Sequence, residues 1–205
     1  MAFIDSITLE VDDLAAAREF YAAAFDLGPR LRLRETDEPT AGFRGFTLSL
    51  TVAQPADARL LLDGAIDAGA TVLKPAAKSM WGFGGVVQAP DGTIWKVATS
   101  NKKDRGPARR AFESIVLLLG SEDVGAGKRF YADRGLAVAR SFGRKYVEFE
   151  PGPVTLGLYG RRALAKSAGV PPEGSGAHRL VIHGGAFTDP DGFAWEPAET
   201  LAVSR

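Results

Sequence analysis

The chain has 205 residues, 45% of them apolar, enough to bury a sizeable core. Its 25 basic and 25 acidic residues cancel, so no global attraction to nucleic acid or to an anionic membrane surface is expected. Cysteine is absent and histidine occurs only at His178 and His183, which removes disulfides, thiolate metal sites and cysteine nucleophiles.

The amino terminus, MAFIDSITLEVDDL, lacks a basic start followed by an apolar core, and no apolar run approaches membrane-spanning length; a soluble, cytoplasmic protein is expected. Phe3 to Val11 alternates as a strand does, with Ile7, Leu9 and Val11 on one face. Asp12 and Asp13 offer capping oxygens to a helix over Leu14 to Leu27, which Gly28 stops, and Arg30 to Arg34 alternates again. Phe43 to Val52 begins a fuller unit, with Phe46, Leu48 and Leu50 on one face. Pro55 and Asp57 open a helix that ends at Gly69, and strands follow at Thr71 to Lys74, Gly84 to Gln88 and Thr93 to Thr99, giving β-α-β-β-β. Between the first two of these strands lies Met80-Trp81-Gly82-Phe83. Its glycine allows close approach to a ligand or to another backbone, so a ligand wall, a core plug and a subunit contact all remain open.

Residues 100–111 are polar and basic, punctuated by glycine and proline, and read as a solvated linker rather than a nucleic-acid contact. Phe112 to Gly120 then repeats the first strand, and Phe130-Tyr131 echoes Phe20-Tyr21. Gly135 ends the helix, and strands at Ala137 to Ser141, Tyr146 to Glu150 and Val154 to Tyr159 complete a second β-α-β-β-β unit. Ala163 to Gly176 reads as a polar connector, and His178 to His183 as the strand of a fourth unit without its helix. The clearest internal repeat is Ala89 to Ala98, APDGTIWKVA, which returns as Asp189 to Ala198, DPDGFAWEPA. In each copy proline presets the turn and glycine supplies positive φ. The spacing predicts an α+β protein with mostly antiparallel sheet, duplicated as halves 1–99 and 112–205, with the first and fourth units shortened.

IDSITLEVDDLAAAREFY, GFRGFTLSL, KPAAKSMWGFGG and the repeated PDG-x-x-W together resemble the vicinal oxygen chelate superfamily, which includes glyoxalase I, extradiol dioxygenases and bleomycin-resistance proteins. The resemblance implies tandem βαβββ modules whose curved sheets form open cups around a small-molecule site, commonly in a homodimer. Two pairings are open: units two and three as one complete cup flanked by the partial units, or each half as its own cup, one with two and three with four; ordinary family connectivity favours the second. Metal enzymes of the superfamily carry histidine and glutamate on the first strand of a module and on the strand after the PDG turn. Here the first-strand positions fall at Ser6, Thr47 and Ser114, and the post-turn position of unit two is Lys96, a cation that repels a divalent ion. Only the fourth unit offers donors, His178 and Glu196.

The leading expectation is therefore a metal-independent protein, without cofactor, that binds a small planar or aromatic molecule through Trp81, Phe83, Trp95, Lys96, Arg144, Tyr146 and Tyr159. The bland counterpart is that the tryptophans are core and the cations solvated. A second expectation is a divalent-metal lyase, isomerase or dioxygenase using His178, Glu196 and donors from elsewhere. A third is a cup closed by its own side chains, left to dimerise or to scaffold. Glu148 and Glu150, at alternate positions of one strand, are either an acid-base pair or a solvated face. Whether there is turnover stays open.

Overall fold

The computed structural model describes residues 2–198; the end of the second half, residues 199–205, lies outside the described residues. Unit one consists of β1 (Ser6–Val11), α1 (Leu14–Ala24) and β2 (Leu31–Glu35), followed by the short β3 (Thr40–Gly42). Unit two is β4 (Phe46–Thr51), α2 (Pro55–Asp67), β5 (Thr71–Ser79), β6 (Gly82–Gln88) and β7 (Ile94–Thr99). Unit three is β8 (Ser114–Ser121), α3 (Val124–Ala132), β9 (Val138–Phe142), β10 (Tyr146–Phe149) and β11 (Thr155–Gly160). Then come α4 (Arg161–Ala168), β12 (Gly174–Gly176), β13 (Leu180–His183), β14 (Phe187–Thr188) and β15 (Ala194–Glu196).

Local chemistry accounts for most of these boundaries. The Asp13 carboxylate accepts from the Ala16 amide at 2.9 Å and caps α1, whereas Asp12 turns away to pair with Arg179 at 2.7 Å. Asp123 caps α3 in the same manner. Helix α1 stops at Ala24, ahead of Gly28, which opens a single 3-10 turn instead. Gly92 and Gly192 hold φ of +86° and +90°, as the two Pro-Asp-Gly turns require. The polar segment after β7 is irregular but tied down. Asp104 accepts from the Ala56 amide at the start of α2, and Gln54 accepts from the amides of Arg105 and Gly106.

The sheets do not follow the sequence halves. Units two and three form one eight-stranded sheet, ordered β5-β6-β7-β4-β8-β11-β10-β9, and units one and four form a second, ordered β14-β15-β13-β1-β2. The joints are antiparallel pairs between first strands, β4 with β8 (Leu48 opposite Leu117) and β1 with β13 (Ile7 opposite Ile182). The expected pairing of unit one with two and three with four is thus corrected. An edge between two first strands is satisfied equally by either partner, and the chain closes it across the halves.

Within each half the units meet instead through helices and aromatics. Trp95 Nε1–H donates to Tyr21 Oη at 3.3 Å, and Tyr21 O–H donates to Asp91 at 2.8 Å. The second half repeats the chain: Trp195 to Tyr131 at 3.3 Å and Tyr131 to Asp189 at 2.5 Å. Burial pushes the Asp189 carboxyl upward, and the Tyr131 hydroxyl opposes that. A raised folded pKa makes Asp189 stabilising below its unfolded value, near 3.8, and that contribution is lost as pH rises through the folded value. Tyr131→Phe removes a donor from a buried carboxylate and is expected to cost about 2 kcal/mol in urea denaturation at neutral pH, less under acid. Tyr21→Phe should cost less, because Asp91 is only half-buried and water can replace the donor. Equal losses in the two variants would refute this account.

The segment expected as a connector contains α4. Leu164, Ala165 and Ala168 are buried on one face, Arg162, Lys166 and Ser167 are exposed, and Gly169 ends the helix at φ +86°. Leu164, Ala165 and Ala168 form a small second core with Phe43, Val86 and Ile94, packed on by Leu118 and Tyr159.

Candidate functional site

Alternation along each strand divides the eight-stranded sheet into two faces. One face carries Leu48, Leu50, Trp95, Val97, Ile115, Leu117 and Leu156, and belongs to the main core with residues of α1 and α2. The opposite, cup-side face carries Thr47, Ser49, Lys96, Leu118, Tyr159, Tyr146 and Glu148, as the register of Ser49 with Lys96, Thr47 with Leu118 and Tyr146 with Tyr159 requires. Helix α4 lies across the middle of this face, on Leu118 and Tyr159. The cup is filled at its centre by the chain's own helix.

What remains open is a cleft of about 280 Å³ on the β5–β7 side of α4. Lys74, Lys78, Lys96, Ser79, Trp81 and Ser167 line it, and no acidic residue does. Lys74 is fixed: its Nζ donates to the carbonyls of Lys166 and Ser167, at 2.8 and 2.7 Å, satisfying the C-terminal end of α4. Lys96 makes no ion pair or side-chain hydrogen bond among the described residues. Removal from bulk water, and secondarily the Lys74 charge, pull its ammonium below the usual lysine range. Lys96 is nonetheless exposed, its side chain open to solvent through the cleft. Beside it, on the paired position of β4, the buried Ser49 Oγ has no hydrogen-bond partner among the described residues.

The structure brings together two of the expected binding residues here, Lys96 on the floor and Trp81, 83% exposed, at the mouth. Phe83 also borders the cleft, but its ring is buried in the main core beneath the Arg59 guanidinium, 4.9 Å from the centroid. Trp95 is 0% exposed, packed against Phe25 and Tyr21 with centroids 4.9 and 5.8 Å away. Tyr146 and Tyr159 stand edge-to-face at 5.9 Å on the far side of α4, where Tyr146 O–H donates to Glu148 at 2.7 Å. Burial and then Glu148 raise the Tyr146 phenol well above its ordinary range. Arg144 is exposed in the turn between β9 and β10, and Glu150 is exposed beyond the end of β10. The glycine of the Trp-Gly-Phe sequence serves a backbone approach: at Gly82, φ +136°, a Cβ would collide with the Thr99 carbonyl oxygen.

A larger hollow of about 540 Å³ lies by the start of α4, lined by Arg44 and Arg161 but also by Glu122, Glu173 and Asp191. Its three carboxylates outnumber its two guanidiniums, and both guanidiniums are engaged by carbonyls, Arg161 by Phe43 and Pro172, Arg44 by Asp91.

The candidate metal donors are not assembled. His178 precedes β13; its ring stacks on Phe193 at 4.0 Å, and both nitrogens face carbonyls, Nδ1 that of Arg44 at 2.5 Å and Nε2 that of Asp191 at 3.2 Å. Glu196 is paired in register with His183 rather than set beside His178, and it shares the Arg34 guanidinium with Glu10. His183, missed by sequence reasoning, faces the second cup and shares a 2.7 Å hydrogen bond with Thr8 Oγ1. Alternation from Leu180 would have placed it there. No group of three or more His, Asp or Glu side chains suited to a metal ion occurs among the described residues. On the larger cup the hydroxyls of Thr47 and Ser49 beside an ammonium are a donor set that does not fit a divalent ion.

No family model matches the sequence, and no curated protein does. Among solved structures, a single-residue variant of glyoxalase I from Zea mays is 13% identical over 95% of this chain and 91% of its own, with a TM-score of 0.61. Glyoxalase I from Zea mays in another structure is 15% identical over 89% and 74%, with a TM-score of 0.59. A glyoxalase-related enzyme from Fulvimarina pelagi aligns with 48% of this chain and 88% of its own, at 24% identity and a TM-score of 0.40. The chain has the glyoxalase-like α+β fold of open curved sheets.

Proposed function

We propose that the protein binds a small planar anion, without a metal, in the cleft between β5–β7 and the end of α4. The observation that carries this reading is the lining of three lysines and no acid, with Lys96 unpaired and an exposed indole at the mouth. The Lys74 and Lys96 charges repel one another across this space and are relieved by a carboxylate or phosphate. The Trp81 ring offers a face on which a flat body stacks. Lys74, held by the end of α4, supplies a fixed charge; Lys96 is free to meet the ligand.

The test is titration with planar carboxylates and phosphates, followed by tryptophan fluorescence, since Trp81 is exposed while Trp95 and Trp195 are buried. Lys96→Met should weaken binding by at least about tenfold, the loss of one charge-assisted hydrogen bond. Unchanged affinity in that variant would sink the proposal. A stoichiometric metal in protein purified without chelator, lost on Glu196→Ala, would replace it with a metal-dependent lyase, isomerase or dioxygenase.

A further inference from the structure

The geometry points to Lys96 as a nucleophilic amine that condenses with an aldehyde or ketone carried by the planar anion, forming an imine in the cleft. This rests on the cleft being the binding site. Of its three lysines, Lys74 is committed to the carbonyls of Lys166 and Ser167, and Lys78 stands near the end of β5; Lys96 stands on the floor with no acceptor among the described residues. An amine serves as a nucleophile only when neutral, and the neighbouring Lys74 charge shifts Lys96 toward that state with no carboxylate to oppose it. Lys74 approaches from β5, Ser167 from α4, Ser49 from β4 and Val86 from β6, with no carboxylate among them, whereas Lys78, paired with Phe83, borders the cleft farther along β5. The fixed Lys74 ammonium then holds the anionic end of the ligand while the Lys96 nitrogen reacts.

The balance is that of any amine condensation. The Lys96 Nζ lone pair forms a bond to the carbonyl carbon, giving a carbinolamine. The former carbonyl oxygen then leaves as water, carrying away the two protons that nitrogen gives up, and the C=N bond forms. No oxidant or reductant is consumed. The unpartnered Ser49 hydroxyl, on the paired position of the neighbouring strand, is placed on the same face to take part in these proton transfers.

Pyridoxal 5′-phosphate, a planar aldehyde with a phosphate, is the probe, and pyridoxine 5′-phosphate, which has an alcohol in place of the aldehyde, is its non-condensing control. The full chain is incubated with the aldehyde, reduced with borohydride and mapped by mass spectrometry, while binding of the alcohol is followed by Trp81 fluorescence. The expected result is one label per chain at Lys96, in a parent chain that also binds the alcohol, and no label in Lys96→Arg, whose unfolding midpoint in urea stays that of the parent. Labelling of Lys96 should also persist to lower pH than that of surface lysines, and Lys74→Met, which removes a like charge, should shift it to higher pH. Binding of the alcohol with labels scattered over surface lysines would overturn the imine and leave the binding reading standing. Failure of either compound to bind would overturn both.

Discussion

A Trp95→Ala variant is expected to lose about 3–5 kcal/mol of folding stability, the usual cost of truncating a large buried aromatic. Wherever it remains folded, its affinity for planar anions should stay within about twofold of the parent, because Trp95 faces away from the cleft. The ring is 0% exposed, lies 4.9 Å from Phe25 and 5.8 Å from Tyr21, and ties the last strand of unit two to the helix of unit one through the Tyr21 hydroxyl. Trp81→Ala should behave in the opposite sense. Its side chain is 83% exposed, so stability should change by less than about 0.5 kcal/mol while ligand affinity falls. Chemical denaturation and fluorescence titration of the pair separate the two roles. A Trp95→Ala protein that is as stable as the parent but has lost its ligand would reverse the assignment.

The sequence already contained the argument against Trp95 as a ligand wall. Adjacent residues of a strand point to opposite faces, so Trp95 and Lys96 cannot both line one cup. Leu48 and Leu50 pair with Trp95 and Val97, whereas Ser49 pairs with Lys96, so the apolar set belongs to the core and the polar set to the cup. The same parity puts Phe83 with Gly85 and Val87, on the side of Trp95. The β-α-β-β-β order of units two and three was legible for the same reason that parity is: both come from local periodicity and from turn residues whose φ values are forced.

The closure of the sheets was not legible. The first strands of all four units are short apolar segments, and nothing in Phe46–Thr51 distinguishes Ser114–Ser121 from Ser6–Val11 as its antiparallel partner. That choice depends on contacts far apart in sequence. His178 failed through register: β13 starts at Leu180, so the histidine on the cup face beside Glu196 is His183, and His178 stacks on Phe193 instead. Helix α4 lay hidden among Pro171, Pro172 and several glycines. Yet residues 161–168, RRALAKSA, are good helix formers with apolar side chains at Leu164, Ala165 and Ala168, and Gly169 is a suitable stop.

Helix α4 also sets the second large effect. Leu164→Asp is expected to release α4 from the cup while both sheets persist. Leu164 is 0% exposed, and an unpaired carboxylate in its place costs several kcal/mol, more than a helix of 8 residues with three buried side chains can offset. Off the sheet so short a helix does not hold its shape in water. Amides of residues 161–168 should therefore exchange rapidly with solvent while those of β4 and β8, which pair with each other, stay protected. Phe43, Val86, Ile94 and Leu118 would be uncovered, so binding of an apolar dye should rise. Lys74 would lose the carbonyls that fix it, and planar anions should bind more weakly though the cleft becomes larger, because preorganised charge rather than volume sets the affinity. Loss of protection throughout β4 and β8 in the same variant would show instead that α4 is part of the cooperative core, and the idea of a helix seated in an otherwise complete cup would fall.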